Sequence, residues 1–156
     1  MTLLANLKRE PVRNLSLRPA VTVPALSSVR HAVQTMREHQ IGCVFVVDAA
    51  GHPLGIFHER ILLTLLDENP AGIDDNVARH IDKRCACVQE DEPIASAVYV
   101  IESRDQRFVG VVNQDRQLLA LTGEKGLMEY VADHFPRQVM VATPGVRHQD
   151  TNREGA

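Results

Sequence analysis

Residues 21–36, VTVPALSSVRHAVQTM, followed by residues 44–57, VFVVDAAGHPLGIF, decide how the chain folds. In the first stretch Val29, Ala32, Val33 and Met36 recur at the i, i+3, i+4, i+7 spacing of an amphipathic helix. A short extended piece, AVTV, leads into that helix, and Ser27 is placed to cap its first turn. Next comes a strand, CVFVVD, that is apolar on both faces and therefore buried. The turn AAGHP reverses the chain into a second strand, LGIF, and a helix over ERILLTLLDE closes the unit. The order is β-α-β-β-α.

The same unit occurs again 65 residues later, without a gap. Val23 falls on Val88, Ala32 and Val33 on Ala97 and Val98, and Val44, Val46 and Val47 on Val109, Val111 and Val112. Leu54, Glu59 and Leu62 fall on Leu119, Glu124 and Leu127, and upstream Val12 falls on Val77. The second copy reads CACV, a helix on Ile94, Ala97, Val98 and Ile101 with Pro93 in its first turn, strands FVGVVN and LLAL, and a closing helix EKGLMEYVADHF. A unit of about 60 residues is marginal alone. The fold class predicted is therefore α+β, with two β-α-β-β-α repeats packed about a pseudo-twofold axis. The boundaries are 1–11 for an N-terminal segment, 12–70 and 71–136 for the repeats, and 137–156 for a polar tail expected to be mobile. DENPAGIDDN, residues 67–76, is the joint.

Composition narrows the function. No run approaches the ~18 apolar residues of a membrane span, and the start MTLLANLKREPV lacks a signal-peptide core, so a cytoplasmic protein without membrane contact is expected. A formal charge of −3 and 4% aromatic residues argue against a nucleic-acid partner: there is no general attraction to phosphate and no stacking platform. Cys43, Cys85 and Cys87 fit neither a disulfide framework nor a C-x-x-C site; they read as strand cysteines, with redox or metal chemistry at Cys85 and Cys87 the rival reading. HERIL begins like H-E-x-x-H, but the second ligand position is Leu62, and no G-x-S-x-G occurs. No catalytic or metal site is predicted.

The pattern A-V-T-V-x(6)-V-x-x-A-V-x-x-M followed by V-V-D-x-x-G-x-x-x-G-I resembles a CBS domain, the cystathionine-β-synthase motif, and its tandem copy resembles a CBS pair, or Bateman module, of the small stand-alone type. The resemblance covers roughly residues 12–136. It implies a non-catalytic regulatory module that binds an adenosyl ligand (AMP, ADP, ATP or S-adenosylmethionine) between the repeats and signals to a separate protein. The alternative is a ligand-free dimer acting as an interaction scaffold. The resemblance also implies a homodimer through the helices that follow each repeat. Their apolar residues, Leu62, Leu63, Leu65 and Leu66 and then Leu127, Met128, Tyr130 and Val131, exceed what one repeat covers.

In that family the ligand motif is G-x-x-[T/S]-x-x-[D/N], where the hydroxyl and helix amides meet phosphate and the acid grips the ribose. The first repeat places Gly55, His58 and Ile61 at these positions, and the second Ala120, Gly123 and Gly126. Both copies lack the hydroxyl and the acid. The candidate substitutes are His58, Arg107 just ahead of the central strand, and Thr22 on the first strand, where relatives line the adenine pocket. The plainer readings are a partly exposed helix-N-terminal histidine for His58, a solvated strand-end charge for Arg107 and a loosened helix start for GEKG.

Overall fold

A computed structural model describes residues 2–104 and 106–134; the tail predicted over 137–156 lies outside the described residues. A short helix, α1 (Leu3–Arg9), opens the chain, capped by Thr2, whose hydroxyl accepts the Ala5 amide hydrogen at 3.2 Å. The first repeat holds β1 (Arg18–Pro19), β2 (Thr22–Pro24), α2 (Val29–His39), β3 (Cys43–Val47), β4 (Pro53–His58) and α3 (Glu59–Glu68). The second holds β5 (Cys87–Gln89), α4 (Ile94–Arg104), β6 (Phe108–Val112), β7 (Leu118–Gly123) and α5 (Glu124–His134). The β-α-β-β-α order stands in both. No helix among the described residues is long and apolar enough to cross a membrane.

Three local differences from the sequence reading have physical causes. The cap of α2 is Ser28, not Ser27: Ser28 is extended, and its Oγ accepts the His31 amide hydrogen at 3.1 Å. Ser27 instead offers its carbonyl to the Val77 amide at 2.8 Å. The second repeat's first strand begins at Cys87, leaving Cys85 on irregular backbone. α1 and β1 are too short, at seven and two residues, to carry a periodic signal.

Each repeat forms its own sheet. β2 lies parallel to β3, which pairs antiparallel with β4; β5 lies parallel to β6, which pairs antiparallel with β7. The two crossovers, α2 and α4, bury Val29, Ala32 and Met36 and Ile94, Ala97 and Ile101 respectively. The two-sided apolar strands are interior, with Val44, Phe45, Val46, Val109 and Val111 at most 1% exposed.

The leading segment of each repeat crosses to the other repeat. β1 adds to β7 as an antiparallel edge, pairing Arg18 with Leu121 and Pro19 with Ala120. On the corresponding edge of the first repeat's sheet, Asp82 bridges to Ile56 on β4 through a pair of backbone hydrogen bonds of 2.8 and 3.0 Å. Val12 and Leu15 pack with Val88, Ile94 and Tyr130, whereas Val77 packs with Val23, Val29 and Phe57. The anchoring bonds are symmetric. The Val12 amide donates to the Glu92 carbonyl and the Val77 amide to Ser27; Ile94 donates to Glu10 and Val29 to Asp75. These pairs superpose under the 65-residue shift, and they express the pseudo-twofold relation in backbone atoms. Gly55 permits the Asp82 bridge, since a Cβ there would lie 2.6 Å from the Asp82 carbonyl oxygen.

Of the apolar residues on the closing helices, Leu65 and Tyr130 are buried in their own repeats, and Leu62, Leu127 and Val131 pack against those cores. Leu63, Leu66 and Met128 remain exposed.

Because Val12 is fully buried in the second repeat's core, Val12→Ala should cost about 2 kcal/mol despite lying near the N-terminus. Urea unfolding reads the change; an unaltered midpoint would mean that the leading segment is not docked there.

Candidate functional site

Where β7 turns into α5, a hollow of about 320 Å3 opens on the second repeat. That volume is at the lower end of the ~300–1,000 Å3 of small-molecule sites. Ser16 and Arg18 reach it from the crossed-over leading segment, Arg107 and Phe108 from the start of β6, Leu121, Thr122 and Gly123 from β7, and Glu124, Lys125 and Gly126 from the first turn of α5. The alternation of β7 turns Thr122 inward, and it is 2% exposed. Its Oγ1 is buried with no hydrogen-bond partner among the described residues. An orphaned buried hydroxyl costs about 1–3 kcal/mol, a cost that a ligand acceptor in the hollow would remove.

Gly126 leaves room beside that hydroxyl. A Cβ at this position would lie 2.5 Å from Thr122 Oγ1 and 3.1 Å from the Ser16 carbonyl oxygen. Three cations, Arg18, Arg107 and Lys125, face one carboxylate, Glu124, around the opening. Arg18 is only loosely held by Glu129 at 3.8 Å, with both side chains substantially exposed, so that contact contributes little. Free amides of a helix's first turn, nearby guanidinium groups and a buried hydroxyl together suit an oxyanion. Phe108, 41% exposed, adds an apolar face.

The equivalent place in the first repeat has the same backbone and different chemistry. Phe57, fully buried, stands where Thr122 stands, and Ile61, packed against the first core, stands where Gly126 stands. Gly42 replaces Arg107, although Lys83 and Arg60 match Arg18 and Lys125. His58 caps α3: its Nδ1 accepts the Ile61 amide hydrogen at 3.4 Å. That first-turn amide is therefore already engaged.

Of the residues singled out from sequence, Arg107, Gly123 and Gly126 meet at the hollow. Ala120 is buried within β7, opposite Pro19 and Val111. Gly55, His58 and Ile61 lie on β4 and α3 of the other repeat, and Thr22 is exposed on β2. Sequence reasoning missed Ser16, Arg18, Thr122 and Lys125. Thr122 precedes the aligned hydroxyl position by one residue, and the match of Val12 with Val77 was the signal that the leading segments are part of the packed repeats.

Known proteins agree with this architecture. Residues 12–68 match the model of the CBS domain. A Methanocaldococcus jannaschii protein of uncharacterised function is 25% identical over 165 residues, covering 85% of this chain and 56% of the relative. The chain spans about six-tenths of the length of the curated relatives it matches. A CBS-domain protein from Pyrobaculum aerophilum complexed with AMP superposes with a TM-score of 0.68 at 18% identity, covering 85% of this chain and 96% of that one. A CBS-domain pair in complex with 5′-methylthioadenosine and S-adenosyl-L-methionine gives 0.66 at 18% identity, covering 80% and 97%. The fold and the hollow define a paired-repeat module: its first repeat matches the CBS domain, and its fold is that of CBS-domain pairs.

Thr122→Val removes the orphaned hydroxyl at constant shape. The unliganded variant should melt at the same temperature as the parent or higher. A loss exceeding about 1 kcal/mol would mean that the hydroxyl is bonded inside the protein.

Proposed function

We propose that the chain is a non-catalytic regulatory CBS pair that senses an adenosyl ligand in the second repeat's hollow and passes the signal by contact to another protein. The carrying observation is the buried, unpartnered Thr122 hydroxyl in a hollow ringed by Arg18, Arg107 and Lys125. That charge favours the phosphates of AMP, ADP or ATP over the cationic sulfonium of S-adenosylmethionine. The base or ribose rests on Phe108 and Leu121. No carboxylate stands at Gly126 to hold the ribose, so phosphate contacts supply most of the affinity. Likeness in fold to proteins complexed with AMP and with S-adenosyl-L-methionine supports the ligand class.

The protein works as a homodimer joined through α3 and α5, whose Leu63, Leu66 and Met128 are exposed. The rival reading, a ligand-free scaffold, draws on the first repeat, where Phe57 and Ile61 occupy the equivalent place.

Isothermal titration separates the two readings. AMP, ADP or ATP should give heat and a thermal shift, and Arg107→Ala or Thr122→Val should weaken binding about ten- to hundred-fold. Silence toward all of these ligands at millimolar concentration would favour the scaffold. Sedimentation should show a dimer at micromolar concentration, and a monomer would overturn the proposed assembly.

A further inference from the structure

A second hollow, about 630 Å3, lies between the hairpin of the first repeat, at His52 and Pro53, and the entry to the second, at Cys85 and Cys87. Arg116 and Glu92 also line it. The two thiols face each other with Sγ–Sγ 3.9 Å, and both are half-buried. A disulfide needs about 2.0 Å, so the sulfurs must close by roughly 2 Å. Cys85 precedes β5 on irregular backbone held by the Gln106 side chain, which bonds the Arg84 carbonyl and the Ala86 amide. The regular ladder starts only at Cys87, so Cys85 can approach without breaking it.

We propose that Cys85 and Cys87 form a redox-active dithiol that a hydroperoxide oxidises to an intrachain disulfide. This lies outside the proposed nucleotide reading and does not depend on it. The two sulfurs are unequal. Hydrogen bonding from Cys85, aided by the positive charge of Arg116, holds the Cys87 thiol below its ordinary pKa. That same bond, with burial and the nearby Cys87, Asp82 and Cys43, pushes Cys85 upward. Cys87 is therefore the attacking thiolate and Cys85 the resolving thiol. The Cys87 thiolate attacks one peroxide oxygen, the O–O bond breaks, and the leaving hydroxide takes a proton to become water. Cys85 then attacks the Cys87 sulfenic sulfur, loses its proton, and a second water leaves as the S–S bond forms. Two thiols and one hydrogen peroxide give one disulfide and two waters. Metal binding is the weaker reading: among the described residues no three His, Cys, Asp or Glu side chains gather as a metal site. Cys43, raised by burial and by Glu59, takes no part.

The reduced full-length protein, treated with equimolar hydrogen peroxide, should fall from three titratable thiols to one. Peptide mapping should find Cys85 joined to Cys87 within one chain, and dithiothreitol should restore all three thiols. Cys85→Ser should leave a dimedone-reactive sulfenic acid on Cys87, Cys87→Ser should block the reaction, and Arg116→Gln should slow it several-fold. Three surviving thiols, oxidation of Cys43 at an equal rate, or only interchain disulfides would each overturn the proposal.

Discussion

The structure depends on an exchange of leading segments between its two repeats. Val12 docks into the second core and Val77 into the first, each fully buried and each fixed by a backbone bond to a carbonyl two residues ahead of the receiving helix. A ~60-residue unit buries too little apolar surface to be secure alone. The exchange lets each core borrow residues from the neighbouring unit, so that neither repeat is complete without the other. The symmetry of the anchoring bonds under the 65-residue shift shows that both halves use one solution.

The same exchange builds the proposed ligand site. Because β1 adds to β7, Ser16 and Arg18 arrive beside the first turn of α5 and meet Arg107 and Thr122, which are distant in sequence. The symmetric arrangement brings Lys83 and Asp82 beside β4, yet there Phe57 and Ile61 fill the space with apolar side chains. One backbone plan therefore carries two chemistries, a cationic hollow in the second repeat and a packed, self-capped helix start in the first. Divergence of this kind is inexpensive for the fold, since neither Phe57 nor Thr122 disturbs the ladder of its strand.

Much of the fold was legible in the sequence because two periodicities, helical at Val29–Met36 and two-sided apolar at Val44–Val47, repeat in register at Ile94–Ile101 and Val109–Val112. What the pattern could not supply was the partner of each buried residue. An apolar Val12 signals burial but not which core receives it. The site was half legible for the same reason. Arg107, Gly123 and Gly126 were found by alignment to a motif, whereas Arg18 enters only through the exchange and Thr122 only through strand alternation one residue off the aligned position. Cys85 and Cys87 read as strand cysteines, but only Cys87 lies on β5, and Cys85 meets it from irregular backbone ahead of that strand.

The central claim is that the chain keeps one ligand hollow and has filled the other. Backbone amide NMR during titration with AMP tests it most directly. Shifts should concentrate at Ser16, Arg18, Arg107 and Thr122 to Gly126, and leave Phe57 to Ile61 unmoved. Shifts centred on His58 and Ile61, or none anywhere at millimolar AMP, would contradict the account.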